Sequence, residues 1–424
     1  MYLTSDANYL SIAQTLRSLC HTSTSYMPSE MAWHVISAAC PLATGNEIAR
    51  KTLRYAVGKS ATYIASDVFR EMHSLSIVRF PECVSIYVRA FMDCDSLETT
   101  YFPKCTSVMA NAFLRCSSLR EIDMPKCAFV GPAAFRDCAS LSMANFPTCG
   151  FVGANAFRDC VGLKSVDLEQ CRYVGDSAFL GCEALDYISL PNCSIIGEQA
   201  FLGCAALSIA DLVAGPEIKS STFANCLSLT SVRMPSCKDI GQCAFRSCTC
   251  LDHVSYDHCV TIGSSAFAEC ESLRFVSVTR CGNIEARAFS GCVALSTVFA
   301  PVCRDICGAA FSGCVALGSV EAKDCENVYY DAFRDCRSLA SIALPNCKRI
   351  GNNAFLGCTS LSLLDLGLVT AVPEIGSSVF ESTPIVGYDD AVATGQVYVP
   401  SHLYDDFVVA SGWSEISSRI MSVP

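Results

Sequence analysis

The amino-acid sequence predicts a repeat solenoid: a curved, right-handed stack of short parallel strands with a short helical or 3-10 segment on the other side of each turn. Three observations carry this expectation. Fourteen phenylalanines, Phe69 through Phe355, follow one another at a spacing of 22 residues without a slip, the mark of a stack in which each turn meets only its neighbours. Two cysteines recur with them, three and fourteen residues after the Phe in most turns. Leu at +6 is followed by inward residues at +9 and +11, the period of a strand with one buried face.

The turn of Phe179 shows each element in order. Leu185, Ile188 and Leu190 lead to Pro191, which ends the strand because it has no N–H to donate to a ladder. Cys193 and Ile196 follow, then Gly197 at +18, a position that suits a backbone bend a Cβ would hinder. The next "xxAFxxC" is long enough only for a turn of helix or 3-10. One interior turn departs from the pattern: in "LSIADLVAGPEIKSSTF" the usual Pro and Cys become Val213 and Gly215, marking a kink or a local binding feature.

The ends differ, as the terminal turns of a solenoid must. Residues 1–50 read as a separate helical module, in which "SIAQTLRSLC" and "MPSEMAWHVISAA" form two short amphipathic helices, with Pro28 near the start of the second and Ser25 or Ser29 as caps. The solenoid occupies 51–380. In 381–424, after Phe380 arrives three residues late, "GQVYVP" and "SHLYDDFVVASGWSEISSRIMSV" form a strand–helix cap, with Trp413, Phe407, Leu403 and Tyr404 covering the open end of the core.

Composition narrows the function classes. Hydrophobic residues make up 51% of the 424 and charged ones 17%, against a usual charged fraction of about 25%, which points to turns that are largely buried and argues against disorder. The net charge of −11 argues against nucleic acid, whose binding needs clustered Lys and Arg to displace counterions. No stretch approaches the roughly 18 apolar residues of a transmembrane helix. The start, "MYLTSDANYLSIAQTLRSLC", lacks a basic segment followed by an apolar one, so no secretion signal is read there.

Of the thirty cysteines, thirteen stand at +3 and twelve at +14, leaving Cys20, Cys40, Cys243, Cys250 and Cys307 off the lattice. Both lattice positions point inward, where a thiol serves as a small core residue. Neighbouring turns bring equivalent cysteines within a disulfide's Cα range, but their side chains run parallel, so reduced thiols are the favoured reading. In "CAFRSCTCLDHVSYDHC" the cluster Cys243, Cys248, Cys250, His253, His258 and Cys259 holds soft ligands enough for zinc, yet it has no CxxC pair and His253 falls on the outer side of its strand. No metal site is assigned. Gly58, Lys59 and Ser60 spell the end of a phosphate loop, but Leu53 stands where that motif needs Gly. No catalytic or cofactor-binding residue is assigned, and no enzyme is expected.

The phrase "IGxxAFxxCxxLxxVxLPxC" resembles the BspA-like class of bacterial leucine-rich repeats over roughly residues 52 to 380. That resemblance implies a leucine-rich-repeat solenoid used for protein recognition and adhesion, with a host or bacterial surface protein as ligand and display at the cell surface or secretion. The closing segment resembles one common in BspA-like proteins of gut Firmicutes. The pattern "IAxxLR…TSxSYxPSEMAxxV" resembles an N-terminal element of phage tail and other structural proteins of Firmicutes, although the usual basic-Thr-Gly piece is replaced here by "SLCHTST". A phage-tail structural or receptor-binding protein, oligomerising through residues 1–50, is therefore one alternative. An intracellular interaction scaffold, suited to an unsecreted, thiol-rich chain, is the other.

The candidate binding face is the outward side of the strands, positions +8 and +10, where residues vary while the lattice does not: Tyr101, Asp123, Met143, Asp167, Tyr187, Asp211, Arg233, His253, Phe275 and Phe299. Phe275 and Phe299, on adjacent strands, are expected to form an apolar patch. Asp123, Asp167 and Asp211 recur every second turn, about 10 Å apart at the strand spacing of about 4.8 Å, too far to share one calcium ion.

Overall fold

The computed structural model describes residues 53–212, 215, 217–387 and 393–424. The helical module expected at 1–50 and Val213 of the irregular turn lie outside them. The chain divides into two compact units, residues 1–212 and 213–424, at the turn that loses its Pro and Cys.

Each unit is a parallel-strand solenoid with two strands per turn rather than one. In the turn of Phe179 the expected strand is Tyr187–Ser189, and a second, two-residue strand follows at Ile195–Ile196. In the first unit these second strands form one seven-stranded sheet; in the second unit, an eight-stranded one. The first strands pair in the same sense with a register of 22 residues, as in Glu121 to Met143 to Ser165. The second strand is made by one inward β-branched residue at +17 beside an outward one at +16, as in Val152 beside Phe151. One alternation is too short to stand out as a period, so the segment reads as a bend in sequence.

The third side corrects the expectation of short helical or 3-10 segments. Residues two before and two after each lattice Phe hold left-handed backbone, for example Arg89 and Asp93 at φ 56° and 63°, flanking Phe91. A left-handed residue every four positions prevents helix, which needs consecutive right-handed ones. It also turns alternate N–H groups toward the next turn. Arg89, Phe91 and Asp93 donate to the carbonyls of Ala110, Ala112 and Leu114 at 3.1, 2.7 and 2.8 Å. Asp, Asn and Gly are common at these sites because they tolerate positive φ, as at Asn225 and Gly203. Cys243 occupies one of them, at φ 54°, which accounts for one off-lattice cysteine.

Between these sides the core is a set of columns. Phe135, Phe157 and Phe179 stack at 5.3 and 5.2 Å within 8° of parallel. Leu, Ile or Val, and Cys fill the remaining columns, nearly all without solvent exposure. The +3 thiols donate to the Phe carbonyl of the preceding turn, as Cys160 Sγ does to Phe135 O at 3.0 Å. The +14 thiols donate two residues ahead, as Cys149 Sγ does to Phe151 O at 3.2 Å. Both ladders therefore satisfy a polar group while filling a methyl-sized space.

The glycine column at +18 has a steric cause. A Cβ on Gly153 would lie 2.6 Å from Pro132 N and 2.7 Å from Gly131 C, so consecutive turns approach there closer than side chains allow. Gly153→Val is expected to destabilise the protein by about 1–3 kcal/mol, read as a lower urea midpoint. An unchanged midpoint would show that the turns can part without cost.

The C-terminal cap follows the expected order and adds a strand. Gln396–Pro400 pairs with Leu363–Asp365, and Ile420–Val423, not anticipated from sequence, pairs parallel to it. Between them lie the helix Tyr404–Val409 and the 3-10 segments Ser401–Leu403 and Ser414–Arg419. Trp413 and Phe407 are fully buried, while Leu403 and Tyr404 are only half-buried. The Trp413 indole packs on Phe380 at 6.3 Å and donates to Pro373 O at 2.8 Å.

Candidate recognition surface

The first strands present two outward columns, +8 and +10, over an inward +9 residue such as Ile122, Ile188 or Val276. In the first unit, Tyr101, Asp123, Met143, Asp167 and Tyr187 are exposed and Asp211 is half-buried. In the second, Arg233, His253 and Phe275 are exposed and Phe299 is half-buried. Tyr101, Met143, Tyr187 and Phe275 expose 42–47% of their surface, a large share for such side chains.

Register decides which of these meet. Phe275 lies opposite Thr297 and Phe299 opposite Ser277, so the two aromatics are diagonal neighbours rather than a facing pair. Tyr101 lies opposite Arg79, whose guanidinium sits 5.1 Å from the ring centroid, a cation–π contact. Asp123 accepts a hydrogen bond from Asn145 Nδ2 at 2.7 Å, across the strand pair. The His253 ring bonds to Asp252 and holds that carboxyl below its usual range.

Arg79, Asn145 and Ile209, the last 44% exposed, belong to this face and were not singled out from the sequence, although their +8 or +10 positions mark them. A second feature was also missed. On the second strands of the first unit, Phe129, Phe151 and Tyr173 stack at 5.0 and 4.7 Å within 8° of parallel. The same column in the second unit carries Asn283, Asp305 and Asn327. The repeat itself therefore does not require aromatic residues there.

Among the described residues no three His, Cys, Asp or Glu side chains gather to hold a metal ion. Around the segment weighed for zinc, Cys248 and Cys259 are buried in the lattice while Cys250, His253 and His258 are exposed. No helix among the described residues is long and apolar enough to cross a membrane.

Two short parallel strands per turn, inward Phe, Leu and Cys columns and an outward variable face define a leucine-rich-repeat solenoid. The chain belongs to the BspA type leucine rich repeat family, which it matches over residues 54–164, 172–296 and 282–389. Among solved structures it is similar to a leucine-rich repeat protein from Bacteroides ovatus, 21% identical with a TM-score of 0.62, over 86% of this chain and 88% of that one. It is also similar to a leucine rich cell surface protein from Faecalibacterium prausnitzii, 23% identical with a TM-score of 0.40, over 64% and 79% of the two chains. No curated protein matches it. The family is typically cell-surface or secreted, and its solenoid is in general a recognition scaffold rather than a catalytic one.

Proposed function

We propose that the protein is a non-enzymatic recognition scaffold that binds a partner protein through the outward face of its first strands, and that this binding serves adhesion to a host or bacterial surface component. One observation carries the reading: the lattice repeats while the +8 and +10 columns vary and hold large apolar side chains at 42–47% exposure. A repeat has no folding need for Tyr187 or Phe275, whose side chains point away from the core. Family membership supports the partner class, since leucine-rich-repeat proteins generally bind protein ligands.

The test is surface binding of the intact protein to a panel of matrix and bacterial surface proteins. Tyr187→Asp and Phe275→Asp are each expected to leave folding intact, and at least one to weaken the binding found by about 30-fold, as loss of an apolar anchor worth about 2 kcal/mol would. Ile195→Asp, on the second strands, serves as the control. Binding lost through Ile195→Asp and untouched by the other two would move the site to the second sheet.

A further inference from the structure

We propose that the second-strand sheet of the first unit is the interface of a symmetric dimer, packing face to face on the same sheet of a second copy. This stands apart from the recognition reading above, which concerns the first strands. The sheet is one continuous ladder of seven parallel strands, from Tyr63–Ile64 to Ile195–Ile196. At positions +15 to +18 of its seven turns, Arg172 is the only charged residue. The same positions of the second unit carry, among others, Lys238, Asp239, Arg304, Asp305, Lys348 and Arg349. The lattice therefore accepts charge there, and the first unit does without it. In its place Val84, Tyr87 and Ile195 stand 40%, 43% and 47% exposed, beside the half-buried Met109 and the stacked rings of Phe129, Phe151 and Tyr173.

The occupant follows from the order of large and small residues. A two-fold axis parallel to the strands, over the middle one at Phe129–Val130, keeps each column over itself and reverses the order of turns. At +16 it sets Phe151 over Ser107 and Tyr173 over Ser85; at +18 it sets Met109 over Gly153 and Tyr87 over Gly175. Phe129 meets its own copy at the axis, and Tyr63 meets Ile195 at each end. Every pairing of turns thus brings two large side chains into the gap, so the spacing between the sheets stays even. An isologous contact requires such self-complementarity, and an unrelated partner does not. Charge agrees, since the centre of the contact buries no carboxylate or ammonium. The exposed Arg172 lies over Val84 at the rim, where its head reaches water. Ser107 already donates to Ser85 Oγ at 3.0 Å, so the rings covering this pair leave that donor satisfied. Strand spacing and rise give the sheet about 29 by 13 Å, short of the roughly 800 Å² per partner of a standard interface, so the dimer is a weak one.

Sedimentation velocity of the full chain from about 1 to about 300 μM is expected to show a monomer–dimer equilibrium with a Kd of about 10–100 μM. Phe151→Asp is expected to raise that Kd about tenfold or more, because each dimer then buries two unpaired carboxylates. The variant has a fold to adopt, since Asp239 and Asp305 hold the same +16 position in the second unit. Adding Ser107→Lys sets an ammonium over each of those carboxylates and is expected to recover about threefold of the loss. Thr261→Asp, at +16 in the second unit, is expected to change nothing. A chain monomeric throughout, a dimer indifferent to Phe151→Asp, or a double variant no better than Phe151→Asp alone would each overturn the proposal. In a monomeric chain, protease sensitivity of residues 1–52 raised by Phe151→Asp would give the face to that segment instead. Loss of binding in the surface panel would give it to the partner found there.

Discussion

Phe157→Ala is expected to lower the unfolding free energy by about 3–5 kcal/mol, the usual cost of emptying a buried aromatic site. Phe157 has no solvent exposure and stacks between Phe135 and Phe179, with Phe146 at 6.0 Å. In a stack where each turn meets only its neighbours, no distant element can collapse into the hole, so the cavity persists. Phe151→Ala is the informative comparison. That ring also stacks on both sides but is half-exposed, so its loss is expected to cost nearer 1 kcal/mol, the worth of an aromatic pair without full burial. Urea unfolding followed by far-ultraviolet circular dichroism separates the two. Equal losses would mean that stacking, not burial, holds the turns together.

Alkaline pH is expected to unfold the protein through its cysteine ladders. Burial pushes the thiols of Cys105 and Cys149 up to about 11, and those of Cys83, Cys94, Cys237, Cys347 and Cys358 up to about 12. The sign follows from proton counting. Above the ordinary thiol value of 9, the unfolded chain has released these protons and the folded chain still holds them, so stability falls as pH rises. The contribution is fully present below pH 9 and is lost through the folded values at pH 11 to 12. Each such thiol takes away about 1.4 kcal/mol per pH unit across its window, and several act together. Thermal melting is expected to show little change from pH 7 to 8.5 and a steep fall of Tm above pH 9. Replacing Cys83, Cys94, Cys105 and Cys149 by Ala should make that fall shallower by the share that four of the twenty-five lattice thiols contribute. A chain with those four replaced and the same alkaline slope would place the cause elsewhere. Before unfolding, a thiol reagent at pH 8 should modify exposed Cys250 well ahead of the ladder positions.

Much of this molecule was legible because a repeat states each structural demand many times. Fourteen copies of Phe and two columns of Cys marked which side of each turn is buried, and strand alternation then placed Tyr101 through Phe299 on the opposite side. The same alternation contained Arg79, Asn145 and Ile209. The second strand was not legible, since Phe151 and Val152 offer one in–out step and no period. The third side was misread as helical because "AFxxC" is compatible with a helical turn. Gly203 and Asn225, in the phrases "FLGC" and "FANC", were the available signs of left-handed backbone.

What the sequence determined by itself was the repeat length, the buried columns and the variable positions, because burial must be satisfied locally and identically in every turn. Only the tertiary structure decided that each turn carries two strands and a hydrogen-bonded left-handed corner. Those choices depend on N–H and carbonyl groups of a neighbouring turn 22 residues away, as between Phe91 and Ala112 at 2.7 Å. The same is true of the face. Which side chains were outward was written in the alternation, but Asp123 beside Asn145, and Phe275 diagonal to Phe299, were settled by the register between strands. Register is a property of pairing, and no single turn contains it.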